Sequence, residues 1–166
     1  KMVASFDERL TQGYIWGAGK VKKGKLEVDT GQGIGVLKEM EFSYGIEPVV
    51  SDDGIKAKIT IKGSFDILEL EGFEGAGLDE LYEIMKQGAS RHIAELIQNT
   101  FEESKKIGAD IFKIGELIEK HDNKKWEEIK GDWDNEYKNV ELEVDADALV
   151  INAGKIGQSL EMEGIR

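Results

Sequence analysis

The chain has 166 residues, 40% hydrophobic and 34% charged, a balance that suits one domain with a real core rather than a disordered segment. Its formal net charge of −12 carries no basic block, so the nucleic-acid footprint is missing, and the same balance disfavours direct electrostatic docking on anionic lipid. Cysteine is absent, excluding disulfides, thiolate zinc sites, a thiol nucleophile and an acylated cysteine within these residues. No apolar run approaches the ~20 residues that span a bilayer, and no secretory pattern opens the chain, so it reads as a soluble piece.

Asp7 to Trp16 predicts a short helix, with Asp7 as N-cap, Glu8 in the first turn, and Leu10, Tyr14 and Trp16 inward. Gly17 and Gly19 end it, Lys22-Lys23-Gly24-Lys25 reads as a turn, and Leu26–Val28 as a short strand. The glycines of Gly31-Gln32-Gly33-Ile34-Gly35 have no Lys-Ser/Thr after them and no helix to open, so they lead flexibly into a strand rather than cradle a phosphate.

Met40, Phe42, Tyr44 and Ile46 then alternate with Glu39, Glu41, Ser43 and Glu47. Beyond Ser51-Asp52-Asp53-Gly54 the alternation resumes with Ile55, Ala57, Ile59, Ile61, Gly63, Phe65 and Ile67 on one face. Period-two patterning about an Asp-Gly turn predicts an antiparallel hairpin of Met40–Ile46 with Ile55–Ile67, burying Phe42, Tyr44, Ile59 and Ile61. Pro48 falls near the hairpin end, where a lost ladder donor matters least.

A glycine loop (Gly72, Gly75, Gly77) precedes the longest predicted helix, Leu78–Ile107, with Leu78, Leu81, Tyr82, Met85, Ala89, Ile93, Leu96, Thr100 and Phe101 inward. Gly88 within it implies a close packing contact. A second helix is predicted over Ala109–Lys120, with Ile111, Ile114, Leu117 and Ile118 inward, and a third around Lys124–Lys130. A closing strand turns Val140, Leu142, Val144, Ala146 and Ala148 one way and Glu141, Glu143, Asp145 and Asp147 the other.

Strands and helices segregate along the chain. The expectation is one α+β domain over residues 1–166, an antiparallel sheet covered on one face by one long and several short helices. Lys56, Lys58 and Lys62 face outward on one strand and Glu141, Glu143 and Asp145 on another. That complementarity favours pairing the last strand beside the lysine strand rather than beside Glu39 and Glu41; the alternative is two separately solvated faces.

Little chemistry emerges. His92, His121, Asp122 and a later acid such as Asp132 imitate an HD-type metal phosphohydrolase, but that site needs a helical bundle to converge its ligands. A partly buried His92 and a His121 at a helix C-terminus account for both histidines, so neither metal nor cofactor is expected. The 34 acidic residues show no pair singled out for glycoside chemistry. Trp126 and Trp133, seven apart, are either an exposed platform or core anchors. A helix–turn–helix step at Gly131-Asp132, capped by Asp132 or Asp134, would fold both rings under the sheet beside Ile118, Ile129 and Tyr137.

The segment from Gly108 to Tyr137 combines Asp110-Ile111-Phe112, Gly115-Glu116 and the two tryptophans, and a strand ending in Gly154 follows. Phe6-Asp7-Glu8, Thr11-Gln12-Gly13-Tyr14-Ile15-Trp16, and the run from Glu39-Met40 to Gly72 add to the pattern. Together these resemble the C-terminal domain of the Ger(x)C family, the lipoprotein C subunits of spore germinant receptors. Gly108-Ala109 stands where the family has an aromatic-small pair, and His121-Asp122-Asn123 lacks the usual proline.

The resemblance implies a non-enzymatic subunit on the outer surface of the spore inner membrane, lipid-anchored through a part that precedes Lys1. Its implied partners are the membrane-embedded A and B subunits, met through protein–protein contacts, with no direct membrane insertion by this chain. Asp110, Phe112, Trp126, Trp133 and Tyr137 are the interaction or structural candidates. Two other classes stay open. One is an extracytoplasmic domain binding a small ligand or glycan in a pocket lined by Trp16, Tyr44 or Trp133. The other is a carboxylate- or HD-type hydrolase.

Overall fold

The computed structural model describes residues 7–152. Phe6 of the opening motif and Gly154 beyond the last strand lie outside the described residues. The fold is α+β, in the order α1 (Glu8–Gly17), β1 (Lys25–Asp29), β2 (Ile34–Ser51), β3 (Gly54–Glu71), α2 (Leu78–Lys106), α3 (Ile114–His121), α4 (Asn123–Ile129), a 3-10 turn (Lys130–Asp132), α5 (Trp133–Asn139) and β4 (Glu141–Asn152). The four strands form one sheet in that same order, β1-β2-β3-β4.

The chain divides into two compact units. One comprises the chain up to Lys20, Tyr44–Thr60 and Ala94–Asp145; the other comprises Val21–Ser43, Ile61–Ile93 and the chain from Ala146.

In the first unit, Asp7 caps α1 as expected, its Oδ1 accepting from Leu10 N at 2.9 Å. The inward face of α1 is not the aromatic one alone: Gly13 and Gly17 are buried with Trp16, while Leu10 and Tyr14 are half-buried. A Cβ on Gly13 would collide with Leu96 O and Thr100 Oγ1, and one on Gly17 would meet the Phe112 ring at 2.6 Å, so bare backbone lets α1 approach α2. Thr100 Oγ1 donates to Leu10 O at 3.1 Å across that contact.

The hairpin turns at Asp52-Asp53, and β3 buries Ile55, Ala57 and Ile59 in unbroken alternation. Lys56 pairs with Glu141 at 2.8 Å, and Lys58 with Glu143 at 2.8 Å and Asp145 at 3.9 Å, so the last strand does lie beside the lysine strand. Because the partners rise together, β4 runs parallel to β3. The expected sheet is therefore mostly antiparallel, and the long helical crossover between β3 and β4 is what a parallel pair requires.

In the second unit, β1 pairs antiparallel with β2, Leu26 opposite Leu37 and Val28 opposite Gly35. Thr30 closes the turn between them, its hydroxyl donating to Gly33 O at 2.8 Å and accepting from Gly33 N at 3.1 Å. α2 packs here as its glycine implied: the Cβ position of Gly88 lies 2.9 Å from Thr30 Cγ2, and Met85 covers Gly35. Ile61, Phe65 and Ile67 continue the buried face of β3, and Ala148 and Val150 that of β4.

One expectation about β2 fails. Gly35, Leu37 and Glu39 are buried, Met40 and Glu41 are both exposed, and Phe42, Tyr44 and Ile46 are half-buried. The alternation slips by one residue at Met40-Glu41, the signature of a β-bulge, so Glu39 goes in and Met40 comes out, the reverse of the sequence reading. Phe42 and Tyr44 are correspondingly less buried than the hairpin pattern predicts.

Candidate functional site

The segment beginning at Gly108 is built from its turn upward. Gly108 (φ 65°) ends the α2 region, and Lys113 adopts a left-handed conformation (φ 59°). That places the Asp110 carboxylate at the N-terminus of α3, where Oδ1 accepts from Ile114 N at 2.9 Å and Oδ2 from Gly115 N at 2.8 Å. Two orphan amides are satisfied by one charge at the favourable end of the helix dipole. The helix therefore starts at Ile114 rather than at Ala109, because Asp110 serves the turn and Lys113 breaks helical geometry.

Phe112 is buried and stacks on Phe101, with centroids 6.2 Å apart and planes 14° apart. Phe101 in turn receives the edge of Tyr137 at 5.8 Å and 83°. Ser104 Oγ donates to Phe101 O at 2.6 Å, which commits its proton and makes the buried Tyr137 hydroxyl the donor in their own 2.6 Å contact. Burial pushes the Tyr137 phenol pKa up, so it stays a donor.

From Tyr137 the run continues outward to Trp133 (5.9 Å, 47°) and from Trp133 to Trp126 (5.3 Å, 70°). Both indoles close on Gly115: a Cβ there would stand 3.0 Å from each ring. The two tryptophans stay half-buried rather than enclosed as core anchors. Asp122 caps α4 through Lys125 N at 3.0 Å. Asp132 occupies the N-cap position of α5, but its side chain accepts from the Asn135 amide at 2.5 Å instead of capping the backbone.

Four of the five sequence candidates thus lie in one run of ring contacts through Phe101, and the fifth, Asp110, caps the helix whose Gly115 seats the indoles. Sequence reasoning gave no role to Gly115, whose missing side chain seats both indoles, or to Ser104, a buried polar group next to Thr100 on the apolar side of α2. A serine and a threonine four apart on that stripe were the available signal.

The arrangement sets aromatic edges beside a polar recess lined by Lys130, Asp132, Trp133, Asp134, Asn135 and Lys138. Trp16, Tyr44 and Trp133 are spent separately: Trp16 is buried, Tyr44 lies on Gly19 and Trp133 on Trp126. Burial pushes the Tyr44 pKa up to about 12. Among the described residues no group of three or more His, Asp or Glu side chains is placed to hold a metal, so His92, His121, Asp122 and Asp132 do not converge. Nor is any described helix long and apolar enough to cross a membrane.

The family described as "Spore germination B3/ GerAC like, C-terminal" matches residues 1–154. Among solved structures, the chain is similar to the one titled "Crystal Structure of the GerBC protein", with a TM-score of 0.80 at 15% identity, covering 92% of this chain and 48% of that one. The chain therefore spans about half the length of that protein, and the likeness establishes a shared fold. No curated protein matches it.

Proposed function

From a chain that belongs to the spore germination B3/GerAC-like C-terminal family, we propose the C-terminal part of a germinant-receptor C subunit, a non-enzymatic piece acting in receptor assembly. The observation that carries this reading is the family match over residues 1–154, together with the fold shared with GerBC. In this reading the whole protein is lipid-anchored on the outer surface of the spore inner membrane. It contacts the membrane-embedded A and B subunits, and this chain itself does not enter the bilayer.

Residues 1–166 act as a single domain, since β2, β3, α2 and β4 each contribute residues to both compact units. Near- and far-ultraviolet circular dichroism should then melt together; two separated transitions would assign two domains.

The aromatic run supports a division of labour. Asp110, Phe112 and Tyr137 hold the segment together, and the open edges of Trp126 and Trp133 contribute to the contact surface. Trp133→Ala should cost about 2–3 kcal/mol, below the ~3–5 of a fully enclosed ring. It should also weaken receptor assembly beyond what its melting temperature explains. Equal losses of stability and assembly would make the pair purely structural.

The reading as a whole is tested in spores lacking the gene. They should fail to respond to a nutrient germinant yet germinate when receptors are bypassed. A normal nutrient response in a strain with no second receptor would refute it.

A further inference from the structure

Glu39 is the one charged side chain buried among the described residues, 7% exposed, and its Oε2 has no hydrogen-bond partner. Its neighbour Met40 is 38% exposed. The bulge at Met40-Glu41 produces this inverted pair. Moving it two residues back, to Lys38-Glu39, would leave Gly35 and Leu37 inside on one side and Phe42 inside on the other. Only Glu39 and Met40 would change places. A bulge is a local adjustment, and methionine is the side chain best able to fill whatever space a carboxyl vacates.

We propose that this bulge is a two-position switch controlled by one proton. With Glu39 neutral, it sits at Met40-Glu41 and the carboxyl is inside. With Glu39 ionised, the proton goes to solvent, the bulge moves to Lys38-Glu39, the carboxylate comes to the surface and Met40 goes in.

The two arrangements exchange a polar cost for an apolar one. A neutral carboxyl short of one hydrogen bond is tolerable inside, whereas an unpaired carboxylate is far costlier. The fully buried residues facing it carry no ionisable group, and the titratable side chains of α2 in this unit that are half-buried are Tyr82, Lys86 and His92. The buried residues of β3 in this unit are Ile61, Gly63, Phe65 and Ile67, and those of α2 are Leu81, Met85, Gly88, Ala89 and Ile93. Lys23, in the segment before β1, is the charge acting on the carboxyl; it pulls the pKa down, and burial outweighs it.

Outside, the ionised group finds better company. Lys38 is next to it in sequence, and Lys25 stands opposite Lys38 on β1, with Glu69 reaching Lys25 at 3.9 Å and Glu41 two residues on.

The test follows the Met40 methyl in methyl-labelled methionine NMR spectra from about pH 4 to about pH 8, assigned with Met40→Leu. Its resonance should move from an exposed to a buried position with the midpoint of the Glu39 titration. Peroxide oxidation of Met40, read by mass spectrometry, should slow severalfold over the same range. Glu39→Gln should hold Met40 exposed and quickly oxidised throughout. A Met40 signal that stays put while Glu39 titrates, or that moves equally in Glu39→Gln, would overturn the proposal.

Discussion

β2 and β3 have 18 residues each and lie side by side, yet one keeps a single phase throughout and the other breaks. β3 puts every odd residue from Ile55 to Ile67 inside and its lysines outside, so pattern and packing agree at each position. β2 reads equally regular from Met40 onward, but its first half obeys Leu37, which pairs with Leu26 of β1, rather than the phase of Phe42. Two neighbours demand opposite phases, and the residues between them carry the mismatch. Alternation thus fixes a strand's face only where one partner sets it.

The largest test of that contrast is in β3. Ile59 is fully buried, and Ile59→Ala should cost about 2–5 kcal/mol. Phe42→Ala in the half-buried stretch of β2 should cost distinctly less despite the larger side chain, as measured by urea denaturation. Equal losses would mean that the two strands share one packing regime after all.

The next effect is at Glu39. Its folded pKa is raised above 4.5 by burial, so the folded state holds the proton more tightly than the unfolded one. Stability from this group is therefore level below about 4.5 and falls as pH rises through the folded value. Glu39→Gln should remove that fall and be at least as stable as the parent near neutrality. A pH–stability curve unchanged in Glu39→Gln would show that Glu39 carries no such linkage.

The smallest effect lies on the outer face of β3. Lys58→Ala removes exposed ion pairs with Glu143 and Asp145, and a loss that shrinks further with added salt is expected. Hydrogen bonding and the charge of Lys58 hold the Glu143 pKa down, so what this pair contributes is present above the ordinary carboxylate range and lost as pH falls. A large, salt-independent loss would mean that Lys58 does more than pair its neighbours.

These differences show what a sequence discloses. The phase of β3, the facing combs of Lys56 and Lys58 with Glu141 and Glu143, and the stripe of α2 were legible because each rests on the residue's own character. Gly13, Gly17 and Gly115 were not, since a glycine that admits a neighbouring helix or ring has no hydropathy to reveal it. The start of α3 was missed because Asp110 caps it from four residues ahead. Glu39 was missed because it continues the phase of Gly35 and Leu37, which pair with β1, and not the alternation that starts at Met40. The five site candidates were gathered by family resemblance; that Asp110 anchors a helix while Trp133 bridges Trp126 to Tyr137 needed coordinates.

The most direct measurement is co-purification. A tagged copy of the whole protein carrying this chain would be isolated from detergent-solubilised spore inner membranes and its companions identified by mass spectrometry. A germinant-receptor subunit should bring down the membrane-embedded A and B subunits together. Recovery of the protein without either, from spores that contain both, would contradict the account.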